Sequence, residues 1–124
     1  MTDIPEDLSY TDQHEWVRID GETATVGITE YAVTQLGDVV YVELPEIGTA
    51  LAAGDVIGEI ESTKSVSEIY APLAGTVEHV NSELTDAPEL VNAEPYGRGW
   101  IVKLAATGSE GLLSPAEYAE LVAE

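Results

Sequence analysis

Cysteine is absent from the 124 residues. That excludes disulfides, thiolate metal sites and thiol catalysis by the polypeptide, so any redox sulfur has to be attached from outside. Cations are nearly absent too: four Lys and Arg stand against 24 Asp and Glu, a net charge of −20. With no basic patch to displace counterions from phosphates, nucleic acid is excluded as a partner, and adhesion to anionic membranes is disfavoured. No apolar run approaches the roughly 18 residues of a spanning helix, and the N-terminus has neither a signal sequence nor an arginine-rich transit peptide. A cytoplasmic location is the expectation. His14 and His79 are isolated and the carboxylates lack metal-loop spacing, so no metal site is expected. Phosphate-binding Gly-rich loops, Gly-x-Ser-x-Gly elbows and His-Glu-x-x-His helices are missing as well.

What is present is a dispersed acidic surface on a chain of one-domain size, residues 1–124, able to bury about two-thirds of its unfolded surface. Such acidity without an acidic tail suits a salt-rich cytoplasm that screens self-repulsion, and a halophilic source is expected. Short β-branched runs at Trp16 to Ile19, Thr23 to Ile28, Val39 to Leu44, Val56 to Glu61, Val66 to Tyr70, Thr76 to Val80 and Trp100 to Leu104 predict strands. Alternation in two of them points Val40, Val42 and Leu44, and Trp100, Val102 and Leu104, to one face. Gly and Pro punctuation between the runs makes the fold class mainly β, a sandwich or flattened barrel with short helices. One helix is predicted over Glu30 to Leu36, capped by Thr29 and closed by Gly37. Residues 81–99 read mainly as loop, with a brief helix from Asp86, Pro88 and Glu89 to near Val91. Ser114-Pro115-Ala116-Glu117 has capping-box spacing and opens a C-terminal helix over 114–123, with Tyr118, Leu121 and Val122 on its docking face. The two Trp and six Tyr fall where core and sheet-edge packing accounts for them.

Lys64 stands out from this background. It is one of two lysines, and it sits at the turn, near Ser62 to Ser65, of a hairpin spanning about residues 56–71. Glu59, Glu61 and Glu68 surround it and favour an ammonium, which ill suits a lysine that must itself form a Schiff base or act as a base. The residue reads as a presented amine on which another enzyme acts.

The run from Gly58 to Val77, with Glu61-Ser62-Thr63-Lys64-Ser65 at its centre, resembles the lipoylation hairpin of the glycine cleavage system H protein family. His14-Glu15-Trp16, Val26-Gly27-Ile28-Thr29-Glu30-Tyr31-Ala32, Leu36-Gly37-Asp38, Leu90-Val91-Asn92 and Pro95-Tyr96-Gly97 agree in order, so the likeness covers nearly the whole chain. Biotin carriers usually flank the lysine with methionines and 2-oxoacid dehydrogenase lipoyl domains with Asp and Ala; Thr63-Lys64-Ser65 follows neither pattern. The resemblance implies two antiparallel sheets of the lipoyl-carrier type and lipoate bound covalently to Lys64. It implies a carrier rather than an enzyme; a monomer is expected. Its partners would be a pyridoxal-phosphate glycine decarboxylase that loads an aminomethyl group, a tetrahydrofolate-dependent aminomethyltransferase that removes it, and a dihydrolipoyl dehydrogenase that reoxidises the dithiol. A lipoylating enzyme would recognise Glu61 and Gly75. Gly75 reads equally as a turn glycine that permits positive φ. Glu15 and Glu68 are implied in a cleft for the loaded arm, with Glu15 holding its amine. Glu68 stands where the family often has Asp and Gln13 where a small hydroxyl is common. An H-like scaffold could instead relay lipoyl groups to other proteins, or be an unmodified interaction module.

Overall fold

The computed structural model describes residues 4–106 and 112–122. Two antiparallel sheets form the body, and they do not close into a barrel. The larger has six strands, β1 (Ser9–Tyr10), β2 (Glu15–Asp20), β3 (Thr23–Ile28), β5 (Ala50–Leu51), β8 (Gly75–Val80) and β9 (Val102–Ala105), in the order β1-β2-β3-β9-β8-β5. The smaller holds β4 (Val39–Glu43), β6 (Val56–Ser62) and β7 (Val66–Tyr70), with β6 in the middle. Valine, isoleucine and leucine from both inner faces, among them Val26, Ile60, Ile69, Val77, Val102 and Leu104, fill the space between the sheets and are almost wholly buried. At about 25 cal/mol per Å² of apolar surface, this burial is the main force holding the sheets together.

Helix α1 (Glu30–Leu36) agrees residue for residue with the sequence reading: Thr29 Oγ1 accepts from Ala32 N–H, and Val33 and Leu36 are buried. Gly37 ends it at φ +83°, a backbone region that glycine occupies without strain. Between residues 81 and 99 lie two single-turn helices, α2 (Glu83–Asp86) and α3 (Leu90–Ala93), rather than one turn ending near Val91. In neither does the side chain of the N-cap residue bond the first turn. The two-residue strands β1 and β5 are too short to show periodicity and were not foreseen.

Packing also overturns one strand alternation and one helix face. In β4 the inward residues are Val39 and Val42, while Val40 is 53 % exposed. A register shift between Val39 and Tyr41 adds a residue on this strand opposite β6 and turns the following side chains over. In α4 (Pro115–Leu121) the capping box of Ser114 and Glu117 forms as its spacing predicts. Tyr118 is fully buried and stacks on Tyr10 at 4.7 Å, but Leu121 is 50 % exposed. The docking edge is Tyr118 with Val122, an i, i+4 pair against a second small core of Leu8, Tyr10 and Trp16. Residue 123, in the expected C-terminal helix, lies outside the described residues.

Trp16 explains one glycine of the larger sheet. Its indole is fully buried, donates from Nε1 to the Pro95 carbonyl at 2.8 Å, and lies across Gly27, its cross-strand partner. A β-carbon at residue 27 would come within 2.5 Å of the ring.

Candidate functional site

Strands β6 and β7 pair antiparallel, Glu59 with Glu68, Ile60 with Ser67 and Glu61 with Val66, so their turn falls at Thr63 to Ser65. Ser62 closes it. Its backbone N–H donates to the Ser65 carbonyl at 2.8 Å, and its Oγ accepts from the N–H of Lys64 (3.3 Å) and of Ser65 (3.1 Å). A short hydroxyl that bonds the backbone two and three residues on is the usual chemistry of such turns. Thr63 N–H donates to the Asp38 carbonyl at 3.0 Å and ties the tip to the loop after α1. Lys64 is thus exposed on a turn whose own backbone is fixed.

Its side chain differs from the other cations. Arg98 pairs with Glu83 at 3.0 Å, Arg18 lies 5.2 Å over the Trp16 ring, and Lys103 Nζ lies 5.2 Å over the half-buried Trp100. Among the described residues Lys64 is the one cation without a carboxylate or ring partner. Its stem passes over Gly37, where a β-carbon would lie 3.4 Å from Cε and 4.0 Å from Nζ.

Beside the tip a cleft of about 430 Å³ runs between α1 and β7. Ser65 and Val66 stand at the end next to Lys64, Ile28, Leu36, Ile60 and Ile69 form apolar walls, and Glu15 and Glu68 bring carboxylates to it. The two carboxylates differ. Glu68 is exposed and accepts from the Tyr70 hydroxyl at 3.2 Å, whereas Glu15 is 2 % exposed. Glu15 Oε1 accepts from Thr11 Oγ1 at 2.7 Å and Oε2 from Tyr70 N–H at 3.1 Å. Burial nevertheless prevails over these two bonds and pushes its carboxyl up to about 7 from an ordinary 4.5. Glu15 also lines a second cavity of about 530 Å³ with Thr11, Asp12, Gln13 and Tyr70, so it forms a wall between two recesses.

Behind the cleft, Tyr118 joins three elements: its hydroxyl lies 2.7 Å from Thr29 Oγ1 and 2.9 Å from His14 Nδ1. Thr29 donating to Tyr118, and Tyr118 donating to a neutral His14, satisfies all three groups. Burial lowers His14 and pushes the phenol up to about 12, so neither charged form is favoured there. His14 sits at φ +68°, sparsely populated for a residue with a side chain.

The site therefore gathers Lys64, Glu15 and Glu68, three of the five residues singled out from sequence. Glu61 lies on the same hairpin, half-buried between Tyr41 and Val66 at the base of the turn. Gly75 belongs to the other sheet, opposite Leu51. Its φ is not positive, which corrects the turn-glycine reading; a β-carbon there would meet the Ala105 carbonyl at 2.5 Å, so close backbone approach demands glycine. Sequence reasoning missed Thr11, Tyr70, Tyr118 and Ser62 as supports. Only Ser62, a hydroxyl at the start of a predicted turn, carried a local signal. No group of three or more His, Asp or Glu is arranged to hold a metal ion among the described residues.

The chain is similar to known proteins in sequence and in fold. Residues 8–124 match the family model of the glycine cleavage H-protein. The glycine cleavage system H protein of Herpetosiphon aurantiacus is 56 % identical over 119 residues, covering 95 % of this chain and 92 % of the relative. That of Rubrobacter xylanophilus is 52 % identical over 124 residues, covering 100 % and 98 %. The crystal structure of a glycine cleavage system H protein from Mycobacterium marinum superposes with a TM-score of 0.89 at 44 % identity, covering 94 % of this chain and 97 % of that one.

Proposed function

Because the chain belongs to the glycine cleavage H-protein family, and is thereby a lipoyl carrier of the glycine cleavage system rather than a catalyst, we propose that Lys64 is the residue that bears its covalently attached lipoate. The observation that carries this reading is Lys64 itself, exposed on a fixed turn, without a charge or ring partner, next to a cleft with apolar walls and carboxylates. Lys103 offers no such access, since its ammonium is engaged with Trp100 and its strand is paired on both sides.

Lipoate supplies the redox sulfur that a chain without cysteine lacks, and with it the attachment point for an aminomethyl group. The protein's own residues do the rest. The methylene stem of Lys64 supplies reach. Apolar walls from Leu36, Ile60 and Ile69 exclude water from an arm laid into the cleft. Glu15 at its far end offers a carboxylate to a cationic amine, and Glu68 adds a second at the rim. A cationic amine would stabilise the ionised form of Glu15 against burial, so cargo and carboxylate charge together.

Membership of this system implies contact with its other components. In our reading these are a pyridoxal-phosphate glycine decarboxylase, a tetrahydrofolate-dependent aminomethyltransferase and a dihydrolipoyl dehydrogenase, with Glu61 and Gly75 serving the lipoylating enzyme. Residues 1–124 act as one carrier domain, monomeric and cytoplasmic. Among the described residues no helix is long and apolar enough to cross a membrane. Intact mass and peptide mapping of protein from its native host test the assignment. A lipoyl increment on Lys64 is the expected result, and lipoate on Lys103, or none, would overturn it.

A further inference from the structure

The loop that seats the hairpin tip is built by a residue from a distant helix. Asn92, half-buried in α3, uses both ends of its side-chain amide on the segment after α1. Oδ1 accepts from Val39 N–H at 2.8 Å and Nδ2 donates to the Gly37 carbonyl at 2.8 Å. Between these two anchors the Asp38 carbonyl faces the hairpin and accepts from Thr63 N–H. Gly37, held at the other anchor, lies under the Lys64 stem. We propose that Asn92 is a positioning residue for the carrier lysine: by clamping Gly37 and Val39 it fixes both the carbonyl that holds Thr63 and the glycine seat over which Lys64 lies. This rests on the reading that Lys64 carries lipoate.

The chemistry of the clamp is specific. One planar group must present an acceptor to an N–H and a donor to a carbonyl two residues apart. Asparagine does this, aspartate offers no donor, and alanine offers neither. A pre-positioned amine lowers the ordering cost of each productive encounter. Loss of the clamp therefore falls on KM for the lipoylating enzyme, while kcat, set by groups of that enzyme, is retained.

The test uses full-length protein with Asn92→Ala and the isosteric Asn92→Asp, alongside Val102→Ala, which weakens the core away from the loop. Lipoylation is followed with a lipoylating enzyme supplied with lipoate and ATP, and amide hydrogen exchange is read at Thr63. We expect Thr63 to be protected in the wild type and to exchange about tenfold faster in the Asn92 variants. KM should rise about three- to tenfold at unchanged kcat, and Val102→Ala should leave both as in the wild type when compared at equal folded fraction. Unprotected Thr63 in the folded wild type would overturn the proposal, even if the Asn92 variants failed to fold. So would wild-type KM in a folded Asn92 variant, or an equal KM rise in Val102→Ala. Peptide mapping separates the premise: lipoate on another residue removes the carrier reading, whereas exchange at Thr63 still reports the anchor.

Discussion

Glu15 carries most of the site's chemical tension, because a carboxyl that is 2 % exposed keeps two hydrogen bonds and is still displaced upward to about 7. In the unfolded chain the same group ionises near 4.5. Between these values the unfolded state has lost its proton and the folded state has kept it. Stability contributed by Glu15 is therefore complete below about pH 4.5 and lost as pH rises to about 7, a change on the order of 3 kcal/mol. Glu15→Gln removes this titration. Urea melts should show the variant gaining on the wild type from pH 4.5 to 7 and holding a constant lead above; a difference flat across the range would exclude the account. The loaded carrier should respond in the opposite sense. A cationic cargo would favour the ionised carboxylate and so draw its pKa below the empty carrier's value of about 7. In the wild type the cargo's lifetime should shorten as pH falls through that lowered range, and it should be shorter throughout in Glu15→Gln. That contact contributes about 1.5–3 kcal/mol before solvent screening. At Lys64, replacement by Arg keeps the charge and removes the acylatable amine. Lipoylation and carrier activity should vanish while stability stays within about 0.5 kcal/mol, and an active Arg variant would end the assignment.

Elements here are held by a few obligatory close approaches. Strands β2 and β3 can pair beside a buried indole only because Gly27 leaves room for Trp16. Gly27→Ala should cost about 1–3 kcal/mol and shift tryptophan fluorescence, since the ring must leave its Pro95 bond or the strands must part. Unchanged melting and emission would mean that the pair is looser than its geometry. Most elements were legible in the sequence: α1 by its Thr29 cap and apolar face, α4 by its capping box, and β3 and β7 by β-branched runs between turn residues. The shift in β4 was not, because a bulge is decided by the partner strand and leaves no mark in the alternation of its own strand.

For the whole molecule, the net charge of −20 opposes compaction. Raising chloride from about 0.15 M to 1 M shortens the screening length from roughly 8 Å to 3 Å, and the folded state, as the denser array of charge, gains most. Thermal midpoints should therefore rise in sodium and potassium chloride alike. A further rise in sulfate would separate the apolar contribution. Flat midpoints between low and molar chloride would contradict adaptation to a salt-rich interior and assign the acidity to partner recognition.

Composition, turn chemistry and short-range pattern determined that the chain is mainly β, without redox sulfur of its own, and presents a rare lysine at a hairpin turn. Each of those features is local, and each is written in adjacent residues. Tertiary structure alone decided that Glu15 lies buried against the base of that hairpin, bonded to Tyr70 N–H, that Gly75 is required by the Ala105 carbonyl, and that Asn92 holds the loop under Lys64. These are contacts between residues far apart in the chain. Burial, close approach and a two-sided amide bond exist only once the sheets have packed, so no periodicity or spacing along the chain encodes them.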